Sequence, residues 1–577
     1  MRSTGWSERS ITHVARGRAV GLARGASLRR LLPGRAEVAR MRRRPGRDLL
    51  AGLTVAVVAL PLALGFGVAS GLGASAGLAT AIVAGAVAAI FGGSNLQVSG
   101  PTGAMTVVLV PIAHRHGPAG VLTVGLLAGI LLLGLAFLRA GRAVRYVPVP
   151  VVEGFTAGIA AVIFLQQVPA ALGVHARDGD KVALVAWEAV VDFAHHPDWT
   201  ALAIAAGVAV SMLAGSRRWP TIPFSLLAVA VATIVVAVGG GEVATLGALP
   251  ATLPRPSLGF LDLTAVPSLA SAAVAVAALA ALESLLSASV ADAMTVGERH
   301  DPDRELFGQG LANLAVALFG GVPATGAIAR TAVNVRSGAS SRLAALTHAV
   351  TLAAIMLVAA PVVARIPLAA LAGVLLATAL RMVEISAVRA LARASRSDAA
   401  VLVLTAGATL AFDLVVAVLL GLAAAGALAL RQIARSARLE EVPLDPDDHH
   451  EAEYTLLAEH IVVYRIDGPM VFTAAHRFLS ELSEVAPIRV LVLRLSRVST
   501  IDSTGATVLR NVIDRLEHRG ITVYLCGLRP EHTGPLAAIG LLDRLHGRGQ
   551  MFDSAPAAIR AARDHLHVLE LVPTSES

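Results

Sequence analysis

Two consecutive series of seven apolar runs constrain this chain more than any other feature. A helix needs about 20 residues to cross the hydrocarbon core of a bilayer. The first series falls near 49–68, 74–91, 98–113, 120–138, 152–170, 199–214 and 222–238. The second falls near 267–290, 306–320, 324–337, 343–361, 367–382, 398–412 and 414–432. Only 15% of the 577 residues are charged, whereas a soluble chain carries about a quarter. The chain therefore reads as a polytopic α-helical membrane protein with a polar tail.

The third run of each series is short and broken by Gly and Pro. In the first, Phe91-Gly92-Gly93 precedes Pro101-Thr102-Gly103-Ala104; in the second, Phe319-Gly320-Gly321 precedes Pro323-Ala324-Thr325-Gly326-Ala327. Interrupted apolar segments at corresponding places in two halves point to the binding site of a secondary transporter. Orientation follows from the basic joints. The N-terminal arm, Arg139/Arg142/Arg145, Arg217/Arg218, Arg299/Arg304, Arg336/Arg342, Arg389/Arg393/Arg396 and Arg431/Arg435/Arg438 all fall on one side, the cytoplasmic one. The opposite joints carry few basic residues apart from Arg177, Lys181, Arg255 and Arg365.

Seven spans per half is an odd number, so the second half is inserted upside down. If each broken span becomes helical only after its Gly/Pro phrase, two helix N-termini meet near the midplane. Each offers unpaired N–H groups and about half a positive charge, which suits an anion. Pro101 and Pro323 fit helix starts, where a missing N–H costs nothing. Thr102 and Thr325 add hydroxyls, and Gly100, Gly103 and Gly326 permit close approach.

Residues 1–47 form a basic arm, read as cytoplasmic rather than as a nucleic-acid or targeting segment, because it lacks aromatic interleaving and the following apolar run is too long for a signal peptide. The single cysteine, Cys526, excludes an internal disulfide framework. After the membrane region (48–433, with repeats about 48–240 and 265–433) comes a polar linker, 434–453, rich in Asp445, Asp447, Asp448, Glu451 and Glu453. Residues 454–570 alternate between strands and helices. Strands are expected at 461–466, 490–495 and 521–526, and helices at 474–485, 503–519, 536–545 and 555–569. That alternation is a small α/β domain with one sheet.

At these residues the chain resembles the sulfate permease (SulP) family of anion transporters. The similarity runs through Gly52–Pro61, Gln97–Thr106, Glu153–Gly158, Glu283–Asp292, Arg304–Gly310 and Ala329–Asn334. The tail is similar to the STAS domain, with Ile501-Asp502-Ser503-Thr504-Gly505 as its signature loop. The resemblance implies 14 spans as two inverted seven-span repeats in a UraA-like arrangement of core and gate domains. It also implies a cytoplasmic STAS domain, elevator-like movement, a homodimer, and residence in the plasma membrane.

The anion site is expected at Ser99, Thr102, Gly103, Ala104, Thr325, Gly326, Ala329 and Arg330. An arginine inside a membrane segment is a functional candidate by default. Relatives often carry Ser before this arginine, where the chain has Ala329. Glu283, alone in the eighth span, is expected to act on the coupling ion. Proton coupling needs only a titrating carboxylate. Na⁺ would need several oxygens, such as those of Glu283, Ser287 and Thr325. The plain alternative is a structural Glu283–Arg330 pair. Gln166 and Gln167 are expected to hydrogen-bond between helices. Asp292, Glu153, His114 and His116 are given no catalytic or metal role. Ser503 sits where soluble STAS relatives are phosphorylated, but helix capping with Asp502 is the simpler expectation.

The sequence offers no catalytic triad, metal cluster, phosphate loop or cofactor site, so an enzyme is not expected. The leading expectation is secondary active transport of a small anion: sulfate, then bicarbonate or a C4-dicarboxylate. Partners are expected to be that anion, the lipid bilayer, a second copy and a cytoplasmic protein on the STAS domain, with no nucleic acid. A passive channel and a membrane-anchored STAS signalling protein are the alternatives.

Overall fold

The computed structural model describes residues 31–174, 181–219, 222–239, 243–412, 414–436, 438–443, 457, 459–471 and 488–569. It divides into two compact units, Met1–Leu422 and Ala423–Ser577.

In the first unit, which ends within the last span, the expected spans are all helical. The first seven are α2 (Pro45–Ala69), α3 (Ala74–Phe91), the two parts of α4 (Gly103–Phe137), α5 (Val149–Ala171), α7 (Trp199–Arg218) and α8 (Phe224–Gly239). The two parts of α4 are the third and fourth spans, run together through a kink at Gly117, whose φ of 64° lies in the left-handed region. The second seven are α9 (Val266–Ala293), α10 (Pro302–Leu318), α11 (Ile328–Arg336), α12 (Leu343–Val363), α13 (Leu368–Met382), α15 (Arg396–Ala411) and α16 (Leu414–Ser436). Three helices lie outside that expectation: α1 (Arg35–Met41), α6 (Val182–His195) and α14 (Ile385–Ala394). All three are too short or too polar to read as spans. Among the described residues, nine helices are long and apolar enough to cross a membrane.

The helices sort into two bundles. Helices α2, α3, α4, α9, α10, α11 and α12 pack on one another as the core, while α5, α7, α8, α13, α15 and α16 pack as the gate. The bundles meet where α2 lies against α13 and α8 and where α4 lies against α5. Close approach there needs small residues: a Cβ on Gly65 of α2 would stand 3.1 Å from Leu375 Cδ1 of α13.

The two broken spans cross inside the core. Strand β1 (Ser99–Gly100) pairs antiparallel with β2 (Thr325–Gly326), Ser99 opposite Gly326 and Gly100 opposite Thr325. Non-helical backbone at membrane depth survives only when protein satisfies its polar groups. Here Ala327 N–H donates to Val98 O (2.9 Å), and Val98 N–H donates to Thr331 Oγ1 (3.1 Å). Asn313 brackets Ala324, donating to its O (2.9 Å) and accepting from its N (2.8 Å). Thr80 donates to Val322 O (2.9 Å), and Asn334 donates to Leu96 O (2.7 Å).

In the second unit the sheet order is β3-β4-β5-β6-β7. Strands β4 (Ile461–Met470), β5 (Val490–Ile501), β6 (Thr522–Cys526) and β7 (Met551–Phe552) are parallel, and β3 (Arg438–Glu441) is antiparallel to β4. Strand β3 arises within the segment read as linker, and β7 was not expected. Helix α17 (Ser503–His518) and helix α20 (Ala555–Val568) follow expectation. The helix expected at 536–545 is split into α18 (Thr533–Ala538) and α19 (Leu541–Gly547) by Gly540, with φ of 72°. The helix expected at 474–485 and the acidic linker residues 445–453 lie outside the described residues.

Candidate functional site

Helix α4 begins where its sequence changes from an extended Gly-Pro pair to a helix former. Thr102 caps it, in extended conformation, with Oγ1 accepting from Met105 N–H. The same hydroxyl donates to Glu283 Oε2 of α9 at 2.8 Å. Helix α11 begins at Ile328 with no side-chain cap. Its first-turn N–H groups therefore have no partner from within the helix or from a cap. Because β1 and β2 are antiparallel, α4 and α11 leave the ladder at opposite ends and in opposite directions. Both N-termini flank the same short ladder, as the inverted repeat requires.

Arg330 lies in the first turn of α11 and is 2% exposed. Its Nη2 donates to the carbonyl of Pro101 at 2.9 Å, so the cation of the second repeat holds the break of the first. Its Nη1 is buried without a partner. Gly100 is glycine for this reason: a Cβ there would collide with Nη1. The arrangement is reciprocal. A Cβ on Gly326 would collide with the Gln97 amide, a side chain of the first repeat lying on the break of the second. Gln97 is buried, and neither of its amide atoms has a partner.

Helix α9 backs both breaks with one face. Ala280 O accepts from Thr325 Oγ1 (3.1 Å), Glu283 accepts from Thr102, Ser284 Cα lies beside Gly326, and Ser287 Oγ bonds to Thr331 Oγ1 (2.9 Å). These positions are spaced by three and four residues, the helical spacing that puts them on one side.

The expected site residues thus divide. Ser99 lies in β1 and accepts from Gln309 Nε2 (2.7 Å). Gly103 packs so closely on Ile163 that a Cβ would collide, and Ala104 is buried beside it. Thr325 and Gly326 form β2, and Ala329 is exposed between buried Ala327 and buried Arg330. The oxygens expected to share a cation are engaged separately: Glu283 by Thr102, Ser287 by Thr331, and Thr325 by Ala280. Glu283 and Arg330 form no ion pair. Gln166 departs from expectation, because its amide is buried with no hydrogen-bond partner.

The apolar context could have flagged Gln97, Gln309, Asn313, Thr331, Asn334 and His348, since buried polar groups in a membrane segment are rare. Glu305 was another such signal. It accepts from Gly93 N–H (2.9 Å) and Ser94 N–H (3.2 Å), so it holds the end of α3.

In the second unit, Asp502 caps α17, accepting from Gly505 N–H at 2.6 Å. Ser503 is exposed at the first position of that helix.

Comparison with known proteins agrees with this architecture. The sulfate permease family model matches residues 46–405, and the STAS domain model matches residues 456–558. YvdB of Bacillus subtilis is 34% identical over 519 residues, covering 88% of this chain and 96% of its own. The bicarbonate transporter BicA of Picosynechococcus is 32% identical over 522 residues, covering 86% of this chain and 91% of its own. The solved transmembrane domain of a cyanobacterial BicA superposes with a TM-score of 0.59 at 30% identity, covering 66% of this chain and 97% of that one. The structure of SLC26A9 superposes with a TM-score of 0.79 over 99% of this chain and 98% of that one, at 16% identity, which shows a shared fold. The chain belongs to the sulfate permease family of anion transporters and ends in a STAS domain.

Proposed function

We propose that this protein carries a small oxyanion across the plasma membrane by secondary active transport, with sulfate the first candidate, bicarbonate the second and a C4-dicarboxylate the third. One observation carries the reading. Arg330 is a buried guanidinium with no carboxylate paired to it, set at the start of one half-helix and bonded to the break of the other. A charge in that position without a counterion is strongly unfavourable. A small anion at the two N-termini supplies the missing counter-charge. The relatives support both leading substrates: BicA is named a bicarbonate transporter, and YvdB is named for sulfate.

Glu283 is the coupling group. Its carboxylate faces Thr102, the cap of the first half-helix, so protonation changes the charge beside the anion directly. Proton coupling needs no further ligand. Na⁺ coupling would need oxygens that the structure engages elsewhere. The core bundle carries every one of these residues, and the gate carries none. That division supports an elevator in which the core slides against the gate. The basic joints support a cytoplasmic N-terminus and STAS domain, and the family resemblance supports a homodimer as the working unit.

The test is uptake of labelled sulfate, bicarbonate, succinate and fumarate into proteoliposomes, with and without pH and Na⁺ gradients. Wild type should take up one anion saturably, and Arg330→Ala should lose that uptake. Glu283→Gln should lose the response to the pH gradient. Non-saturable, gradient-independent flux would indicate a channel. No flux of any anion, with variants equal to wild type, would favour a signalling role.

A further inference from the structure

His348, in the second turn of α12, is fully buried, and neither of its ring nitrogens has a hydrogen-bond partner among the described residues. A buried polar group left unbonded is costly, and in a native core it calls for a partner.

The contacts of two glycines place this imidazole beside the anion site. A Cβ on Gly85 of α3 would stand 3.7 Å from His348 Cδ2 and 3.5 Å from Ser99 O. A Cβ on Gly100 would stand 3.5 Å from Ala81 Cα, also of α3, and would collide with Arg330 Nη1. Ala81 and Gly85 are four residues apart, so they share one face of α3 at about 6 Å along its axis. The imidazole, the Ser99 carbonyl and the guanidinium therefore lie against that face, about one helical turn from end to end. No carboxylate competes for them. Helices α3 and α12 carry none, and Asp48 of α2, which also packs on α12, is bonded to Ser340 and Ser341.

Arg330 Nη1 is itself buried without a partner. It offers two N–H groups, and a neutral imidazole offers one acceptor nitrogen and one donor. At Gly85 the nearest atoms would stand 3.5–3.7 Å from a Cβ, so a methyl group fits there without displacing anything. A water molecule needs about the same room, and in a protein interior about two to four polar groups hold it. The three groups on this face supply that number.

We propose that His348 is a positioning residue for Arg330. One water in the space at Gly85 joins an imidazole nitrogen and Ser99 O to Arg330 Nη1. It fixes the guanidinium at the start of α11 and leaves the second N–H of Nη1 for the anion. The inference rests on the reading of Arg330 as the counter-charge of the transported anion.

The experiment is initial uptake of labelled sulfate, and in parallel bicarbonate, into proteoliposomes, with KM and kcat separated and the melting temperature recorded for each variant. His348→Leu removes both nitrogens and should raise KM at least about fivefold, with kcat within about twofold of wild type. His348→Gln keeps an acceptor and a donor and should restore KM to within about twofold of wild type. Gly85→Ala fills the space with a methyl group and should fold normally, yet raise KM as His348→Leu does. His348→Leu/Gly85→Ala should be no worse than either variant alone, because both remove the same water. A purely structural imidazole would lower the melting temperature in His348→Leu and leave KM unchanged. The proposal is overturned if either single variant keeps the wild-type KM while Arg330→Ala is inactive, if Gln fails to rescue, or if the two effects multiply. Uptake of neither anion, or full uptake in Arg330→Ala, would instead overturn the reading of Arg330, and this inference with it.

Discussion

At the scale of the residue, a polar side chain from the other repeat packs on the glycine of each break, and in the first break it also bonds to the backbone, Arg330 donating to Pro101 O. Gly100→Ala drives a methyl group into Arg330 Nη1, and Gly326→Ala drives one into the Gln97 amide. Gly100→Ala should express and fold, yet lower anion uptake by about tenfold or more, since a displaced guanidinium forfeits a charge-assisted bond. Uptake equal to wild type in Gly100→Ala would mean that the guanidinium position is immaterial. Thr102→Val removes the bond to Glu283 but keeps the volume. It should shift the pH dependence of uptake rather than abolish transport, measured as initial rate against external pH. Arg330 and Glu283 were legible in the sequence because a charge inside an apolar run stands out. Their partners were not. Thr102 and Glu283 are 181 residues apart, and Arg330 and Pro101 are 229 apart, so no local pattern announces the contact. Ser287 shows the same limit: it looked free to join a cation site but is taken by Thr331.

At the scale of the element, the half-helices were legible from Gly and Pro, while the short β1–β2 ladder between them was not. Two residues per strand carry no alternation to read. Helices α6 and α14 were missed for a related reason: 14 and 10 residues are too few to cross, and their charges made them look like joints. Helix α1 is docked by ions. Glu37 pairs with Arg304 and Arg342, and those two arginines cap the end of α3 through Phe91 O, Ala89 O and Ile90 O. Burial alone would raise the Glu37 pKa, but the Arg304 bond, the Gly34 N–H and the two positive charges outweigh it and hold the carboxyl below its ordinary value of 4.5. A depressed carboxylate stabilises the docked arm above its unfolded pKa, and that stability is lost as pH falls through the folded value. The protection of amides at residues 35–41, corrected for the intrinsic pH dependence of exchange, should therefore be high near neutrality and fall below about pH 4.5. Glu37→Gln should leave them weakly protected at all pH values. Nearby, Asp48 is fully buried and accepts from Ser340 N–H (2.6 Å), Ser341 N–H (3.1 Å) and Ser341 Oγ (2.5 Å). Asp48→Ala strands these donors and should cost about 3 kcal/mol, read as a lowered thermal transition in detergent.

At the scale of the molecule, the inverted repeat is the feature from which the site follows. Seven spans per half reverse the second half, and the reversal brings two helix starts to one ladder. The count of runs carried that inference, which is why the membrane fold was legible at low resolution. The sorting into core and gate was not readable from the spans themselves, because packing partners depend on small-residue contacts such as Gly65 with Leu375. If the core moves against the gate, a Gly65→Cys/Leu375→Cys cross-link between α2 and α13 should stop uptake, and reduction should restore it. Full uptake in the cross-linked protein would rule out sliding at that contact.

The most direct measurement for the account is a density map of the protein with its transported anion in excess, compared with a map in its absence. The account predicts new density at the starts of α4 and α11, within about 3 Å of first-turn N–H groups, and its loss in Arg330→Ala. Density elsewhere in the membrane unit, or at the breaks but unchanged in Arg330→Ala, would contradict it.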